Sequence, residues 1–205
     1  MNLDTTQLIA IAAALGWASG LRLYAVLFLT GAAGYLNWVD LPPGLQLLQN
    51  PWMLGASAVM CLLEFAADKI PGLDTLWDLV HTLIRIPAGA ALAAAVFRGQ
   101  TGVDPVTWSA IAAVVGGALA ATSHAAKATT RAAVNTLPEP FSNIAMSLAG
   151  DAAVPAMLWL SWTHPALFFV ALLLALALGL ALIALLAKFL RGLVARLWSR
   201  RLGTS

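Results

Sequence analysis

A-L-F-F-V-A-L-L-L-A-L-A-L-G-L-A-L-I-A-L-L-A, residues 166–187, holds no charged or strongly polar side chain. A helix needs about 20 apolar residues to cross the hydrocarbon core of a bilayer, and this run supplies them. Lys188 and Arg191 follow at once, placed to reach headgroups with their long stems. Composition extends the reading to the whole chain. Of its 205 residues 61% are apolar and 10% charged, against about 25% charged in an average soluble domain. A soluble fold of this length has too few polar groups to cover so much apolar surface.

Working outward, five further stretches read as spans, each with a blemish. Residues 141–160 carry Asp151 and Pro155, and residues 105–135 are over-long and turn polar after Ser123. Residues 74–97 are polar in their first half, with Pro87 midway; residues 51–68 are short and carry Glu64; residues 8–35 carry Arg22. The expected fold is all-α, a polytopic helical membrane protein with about six transmembrane or partly re-entrant helices. Pro42, Pro43 and Gly44 mark the first linker. Residues 1–7 lack Lys and Arg, and the apolar stretch behind them passes residue 30. A retained span is expected there rather than a cleaved signal. The expected organisation is a membrane domain over residues 1–188 and a basic amphipathic tail over 189–205.

Net charge is +2, and five of the eleven Lys and Arg residues fall in the last eighteen positions, with no acid after Asp151. Directly behind an apolar span, that basic end points to anionic lipid headgroups rather than nucleic acid. Phe189, Leu193, Leu197 and Trp198 against Arg191, Arg196 and Arg200 suit a helix lying on the membrane surface; the alternative is a basic end that only sets topology. If it is cytoplasmic, six spans place both termini there, with the loops at Lys69 and after Arg131. Cys61 is the sole cysteine, expected as a small buried apolar residue.

Two polar motifs carry the chemistry. In E-F-A-A-D-K-I-P-G-L-D-T-L-W-D-L-V-H-T-L-I-R, residues 64–85, Glu64 and Asp68 share one helix face, and Asp74, Asp78, His81 and Arg85 recur at helical spacing behind a Pro71–Gly72 break. Leu76, Leu79, Val80 and Leu83 take the opposite face. In the second motif His124, Lys127, Arg131 and Asn135 form one stripe; L-P-E-P, residues 137–140, breaks the chain; Asn143, Ser147 and Asp151 follow at spacing four. Glu139 is expected to cap that next helix. Setting Pro71 against Pro138 suggests a weak repeat, about 8–97 and 105–187, with proline-broken helices. Such repeats are common in transporters.

Charges at membrane depth cost roughly 2.5–3.5 kcal/mol each on insertion scales. Two readings stand. One is a substrate or ion cavity with Glu64, Asp68, Asp74, Asp78 and His81 on one side and Arg22, Lys127, Arg131, Asn135 and Asn143 on the other. In the other reading the groups only pair, Glu64 with Arg131, or Asp68 with Lys127 or Arg22, and hold helices together. A metal, if bound, would use Glu64, Asp68, Asp74, Asp78 and His81; no cofactor is implied. Gly31, Gly34, Gly116 and Gly117 are expected at close helix contacts.

The run E-F-x-x-D-K-I-P-x-x-D from Glu64 to Asp74, with Trp77, Asp78, His81 and Arg85 behind it, resembles an uncharacterised bacterial membrane family, domain of unknown function four-one-two-six. S-G-L-R-L-Y from Ser19 to Tyr24 fits the same pattern, as does the stripe from His124 to Asn135 followed by Pro138, Glu139, Pro140, Ser142 and Asn143. The resemblance spans roughly residues 10–155 and implies a bacterial inner-membrane setting; it carries no catalytic or ligand role.

Three functions compete. The leading one is a small transporter or channel for a cation, a proton-coupled solute or a small charged metabolite, with a homodimer enclosing the path. The second is a scaffold or accessory subunit whose charges are structural. A membrane enzyme acting on a lipid or phosphate ester ranks last, because H-E-x-x-H, G-x-S-x-G and phosphate-loop motifs are absent from the sequence.

Overall fold

The computed structural model describes residues 3–70, 72–134 and 141–202; the side chains of Asn143 and of residues 189–202 lie outside that description. The described residues form helices α1 (Thr5–Tyr35), α2 (Pro51–Ala67), α3 (Leu73–Phe97), α4 (Pro105–Val134), α5 (Phe141–Thr163) and α6 (Pro165–Leu202), with a 3₁₀ helix at Pro43–Gln49 before α2. Among them there is no strand. Five helices are long and apolar enough to cross a membrane, and α2, at 17 residues, falls just short. The chain is a multi-pass helical membrane protein.

Short polar residues start the helices. Asp4 and Gln7 form a reciprocal capping box on α1. The Asn50 side chain accepts from Trp52 N ahead of α2. Exposed Asp104 accepts from the Val106 and Thr107 amides at the head of α4. Hydrogen bonds from Thr107 hold the Asp104 carboxyl below the usual carboxylate range.

Helix α1 is not straight. At Arg22 its backbone leaves the helical region, with φ −149° and ψ 83°. Gln7, from its first turn, and Asn37 and Asp40, just past its end, line one cavity together with Trp162. Gln7 Nε2 also donates to Trp162 O at 3.5 Å. A straight helix of 31 residues would hold those ends about 46 Å apart. So α1 is a hairpin: residues 5–21 run about 25 Å into the bundle and residues 23–35 return about 20 Å to the same end. The stretch expected as a first span enters and turns back, with Arg22 at its bend.

The bend changes the path of the chain. Helices α2 to α6 alternate in direction, and Leu3 stands at the end where α6 begins, beside Thr163. Lys188 lies far along α6 from Pro165. The hairpin of α1 and the alternation of α2 to α6 thus put Leu3 and Lys188 at opposite ends of the bundle. The end that holds Leu3 also holds Trp38, Trp52, Trp108, Trp159 and Trp162, an aromatic belt.

Prolines do not make this break. Pro87 and Pro155 sit inside continuous helices, while Pro71 and residues 135–140, including Asn135, Pro138 and Glu139, lie outside the described residues. The first arm of α1 is the core, with Ile11, Ala14 and Leu15 fully buried. It meets α3 and α4 through glycine. A Cβ on Gly16 would lie 2.6 Å from Gly116 Cα, and one on Gly89 3.2 Å from Gly16 O. On α3 the two faces separate as their spacing predicts: Asp74, Asp78, His81 and Arg85 are buried, and Leu76, Leu79, Val80 and Leu83 face outward.

Candidate functional site

Five helices bring their charges to one place beside the bend of α1. Asp68, at the C-terminal end of α2, is fully buried and meets three cations: Arg131 Nη1 at 2.8 Å, Arg22 Nη1 at 3.0 Å and Lys127 Nζ at 3.1 Å. Lys127 reaches on to Asp78 Oδ1 at 3.2 Å, and Arg131 stands 3.5 Å from Asp78 Oδ2 and 3.8 Å from Asp74. Arg85, also fully buried, holds Glu64 and Asp78 at 2.6 Å each. Arg22 Nε pairs with Asp151 at 2.9 Å, and Lys69 holds the other Asp151 oxygen at 3.2 Å. Arg22, Lys69, Arg85, Lys127 and Arg131 thus balance Glu64, Asp68, Asp74, Asp78 and Asp151 in one connected network. Balance is what low dielectric demands, because an uncompensated buried charge is strongly destabilising.

The bend in α1 is built into this network. Ser123 Oγ donates to Trp17 O at 2.7 Å, and Lys127 Nζ donates to Leu21 O at 2.9 Å. An unbroken helix would give those carbonyls to the amides of residues 21 and 25; here α4 also serves them. Past the bend, Arg22 Nη2 donates to Ser147 O and Ser147 Oγ on α5. The absence of a side chain on Gly20 lets α1 reach Ser123 and Ala120 of α4, which any Cβ there would strike.

Beside the network lies a cleft of about 280 Å³ between α4, α5 and α6. Arg22, Asp68, Lys127, Arg131 and Ser147 form its polar floor, and its walls are almost wholly apolar or small, among them Ala126, Met146, Gly150, Leu178 and Gly179. Met146 and Leu178 are exposed on the outer surface of the bundle, so the cleft opens at that surface.

Of the residues singled out in the sequence, Glu64, Asp68, Asp74, Asp78, Arg22, Lys127 and Arg131 converge. His81 stands apart from the carboxylates: its Nδ1 lies 2.8 Å from Trp77 O, its ring stacks on Trp77 with centroids 4.2 Å apart, and Tyr24 meets it edge-on. Asp74 accepts from Gly72 N and Thr75 N, ordering the first turn of α3. Glu64 pairs with Arg85, not with Arg131 as expected. Asn135 and the Asn143 side chain lie outside the described residues. No three His, Cys, Asp or Glu residues converge as metal ligands among the described residues. In the conditional metal set, Glu64, Asp68, Asp74 and Asp78 face cations, and His81 faces Trp77.

Arg85, Asp151, Lys69 and His124 join the network without having been singled out as site residues. Arg85 already sat in the α3 stripe. His124 Nδ1 lies 3.4 Å from Arg85 Nη1 and its Nε2 2.7 Å from Thr82 Oγ1. Since arginine can only donate, Nδ1 is assigned as acceptor and Nε2–H as donor. Gly116 and Gly117 make the expected close contacts, on α3; Gly31 meets Leu48 of the 3₁₀ helix and Leu54 of α2, and Gly34 meets Leu41 and Gln49.

A bundle of this kind defines a polytopic helical protein with a balanced charge network inside its membrane domain. Within that class the chain belongs to the family described as Domain of unknown function (DUF4126), whose model matches residues 9–185. No curated protein and no solved structure matches the chain.

Proposed function

We propose that the protein is a small membrane transporter whose substrate, a charged solute, binds where the cleft meets the charge network. The observation that carries this reading is the bend of α1 at Arg22, with its carbonyls and three cations at the floor of an open cleft. Transporters commonly bind solutes at discontinuous helices of this sort. Arg22, Lys127 and Arg131 outnumber Asp68 on the floor, which favours an anionic group. The network is already neutral, so a charged solute would travel with a counter-ion such as a proton.

Lys69 and Lys188 lie toward the end away from the tryptophan belt, which supports placing that end in the cytoplasm. Leu3 then faces the opposite side of a bacterial inner membrane. The tail after Lys188 would rest on anionic headgroups. Outward-facing Leu62, Leu79 and Leu83 on α2 and α3 offer a surface for a second copy. The pairs α2–α3 and α4–α5 each enter and return in the same order, as an internal repeat would.

One observation favours a scaffold instead: the charges pair in a continuous network. Against it, buried Glu64 Oε2, Arg85 Nε and Trp77 Nε1 find no hydrogen-bond partner among the described residues. A purely structural network gains most from full satisfaction. Proteoliposome uptake of small organic anions, with and without a pH gradient, separates the readings. Uptake by the wild type that Asp68→Asn and Arg131→Gln abolish, with both variants folded, supports transport. No uptake, with both variants strongly destabilised, supports the scaffold.

A further inference from the structure

We propose that the cleft selects a single-chain amphiphile with an anionic head, carboxylate or phosphate monoester, entering sideways from the bilayer. This rests on the reading of the cleft as the substrate site and names the class of substrate. The chemistry of the cleft changes sharply with depth. Its floor is lined by Arg22, Lys127, Arg131 and Ser147 around one carboxylate, Asp68, all buried except the half-buried Lys127. Its walls, from Ala126 to Leu182, offer alkyl surface and almost no polar atoms. A small hydrophilic ion would leave those walls unmatched, and a purely apolar molecule would make no use of the polar floor.

Small residues make the room. A Cβ on Gly150 would lie 3.7 Å from Arg22 Nε, and one on Gly179 3.2 Å from Ala126 Cβ. A side chain at Gly150 would lie over Arg22, and the bare Gly179 lets α6 approach α4 beside the cleft. A volume of about 280 Å³ is at the lower edge of ordinary ligand pockets and suits one chain rather than a two-chain phospholipid. An anionic head can share Arg131 with Asp68, since guanidinium carries five donors, whereas Lys127 already gives its three to Leu21 O, Asp68 and Asp78.

The test uses the full chain in nanodiscs of zwitterionic lipid, with dodecanoate and dodecyl phosphate as probes and butyrate and dodecyltrimethylammonium as controls. Thermal midpoints are followed against concentration. The expected result is a saturable rise with the two anionic amphiphiles and none with the controls. Arg131→Gln should weaken the response about tenfold or more, and Arg131→Lys should retain most of it. Gly179→Leu, which fills the cleft without touching a charge, should abolish it. Saturable binding of butyrate alone would overturn the amphiphile and leave the cleft as a site for small anions. An equal response to dodecyltrimethylammonium, or one that survives Gly179→Leu, would overturn the proposed class. Silence from every probe, in a protein that transports none of them, would overturn the transporter reading as well.

Discussion

Lys127 Nζ donates to the Leu21 carbonyl at 2.9 Å while holding Asp68 at 3.1 Å and Asp78 at 3.2 Å. One ammonium thus serves the bend of α1 and bridges carboxylates from α2 and α3. A backbone carbonyl released from its helix inside an apolar bundle needs a partner within the protein.

Lys127→Met should therefore do more than remove a charge. It strips the Leu21 carbonyl of this donor and takes one cation from Asp68 and Asp78. Removing one partner of a buried ion pair costs about 3–5 kcal/mol, and two other cations remain on Asp68, so the lower end is expected. Lys127→Arg should lose less, because charge is kept while the compact head is not. Thermal unfolding in nanodiscs measures both, and a Met variant as stable as the Arg variant would contradict the role assigned to Lys127.

Arg85 predicts a different pattern. It is the sole cation within ion-pair distance of Glu64 among the described residues, and it also holds Asp78. Arg85→Met alone leaves Glu64 buried without a counter-charge and should cost several kcal/mol. Adding Glu64→Leu should restore part of that loss, because an apolar pair avoids desolvation altogether. A double-mutant cycle reads the coupling. Additive losses would mean that the two side chains do not depend on each other.

These pairings also show what the sequence made legible. The α3 stripe of Asp74, Asp78, His81 and Arg85 is visible because helical spacing puts residues three and four apart on one face. Spacing fixes the face and leaves the partner open: nothing in it directs Glu64 to Arg85 rather than Arg131. Nor does it say that His81, on the same stripe, turns to Trp77 while His124 joins Arg85. The hairpin was harder still. Breaks are expected at prolines, yet Pro87 and Pro155 are absorbed into long helices, while the bend falls at Arg22, whose only local cues are Ser19, Gly20 and a charge in mid-stretch. What sustains the bend is Ser123, Lys127 and Ser147, all more than a hundred residues away.

Glycine contacts give a stability test independent of charge. Gly16→Val would drive a branched side chain into the α4 backbone at Gly116, where even a Cβ lies at 2.6 Å. Overpacking of this kind costs about 1–3 kcal/mol or more. Gly55→Ala on α2 meets nothing within 4 Å. Helix propensity alone should leave it neutral or stabilise it by up to about 1 kcal/mol. Unfolding midpoints of the two variants should move in opposite directions or differ clearly; similar losses would mean that α1 and α4 do not cross as closely as described.

The hairpin itself is the most direct claim to check. On a Cys61→Ser background, single cysteines replace Gln7, Asn37 or Lys69 in turn. Gln7 and Asn37 lie at opposite ends of α1 in sequence but line one cavity, whereas Lys69 follows α2 at the other end of the bundle. A membrane-impermeant thiol reagent added from one side should label the cysteines at 7 and 37 together and leave the one at 69 unlabelled. Added from the other side, it should reverse the pattern. A straight first span would give a different result, with 7 and 37 labelling from opposite sides, because about 46 Å of continuous helix exceeds a hydrocarbon core of about 30 Å. That result would also remove Arg22 from the bend, and with it the feature on which the transporter reading rests.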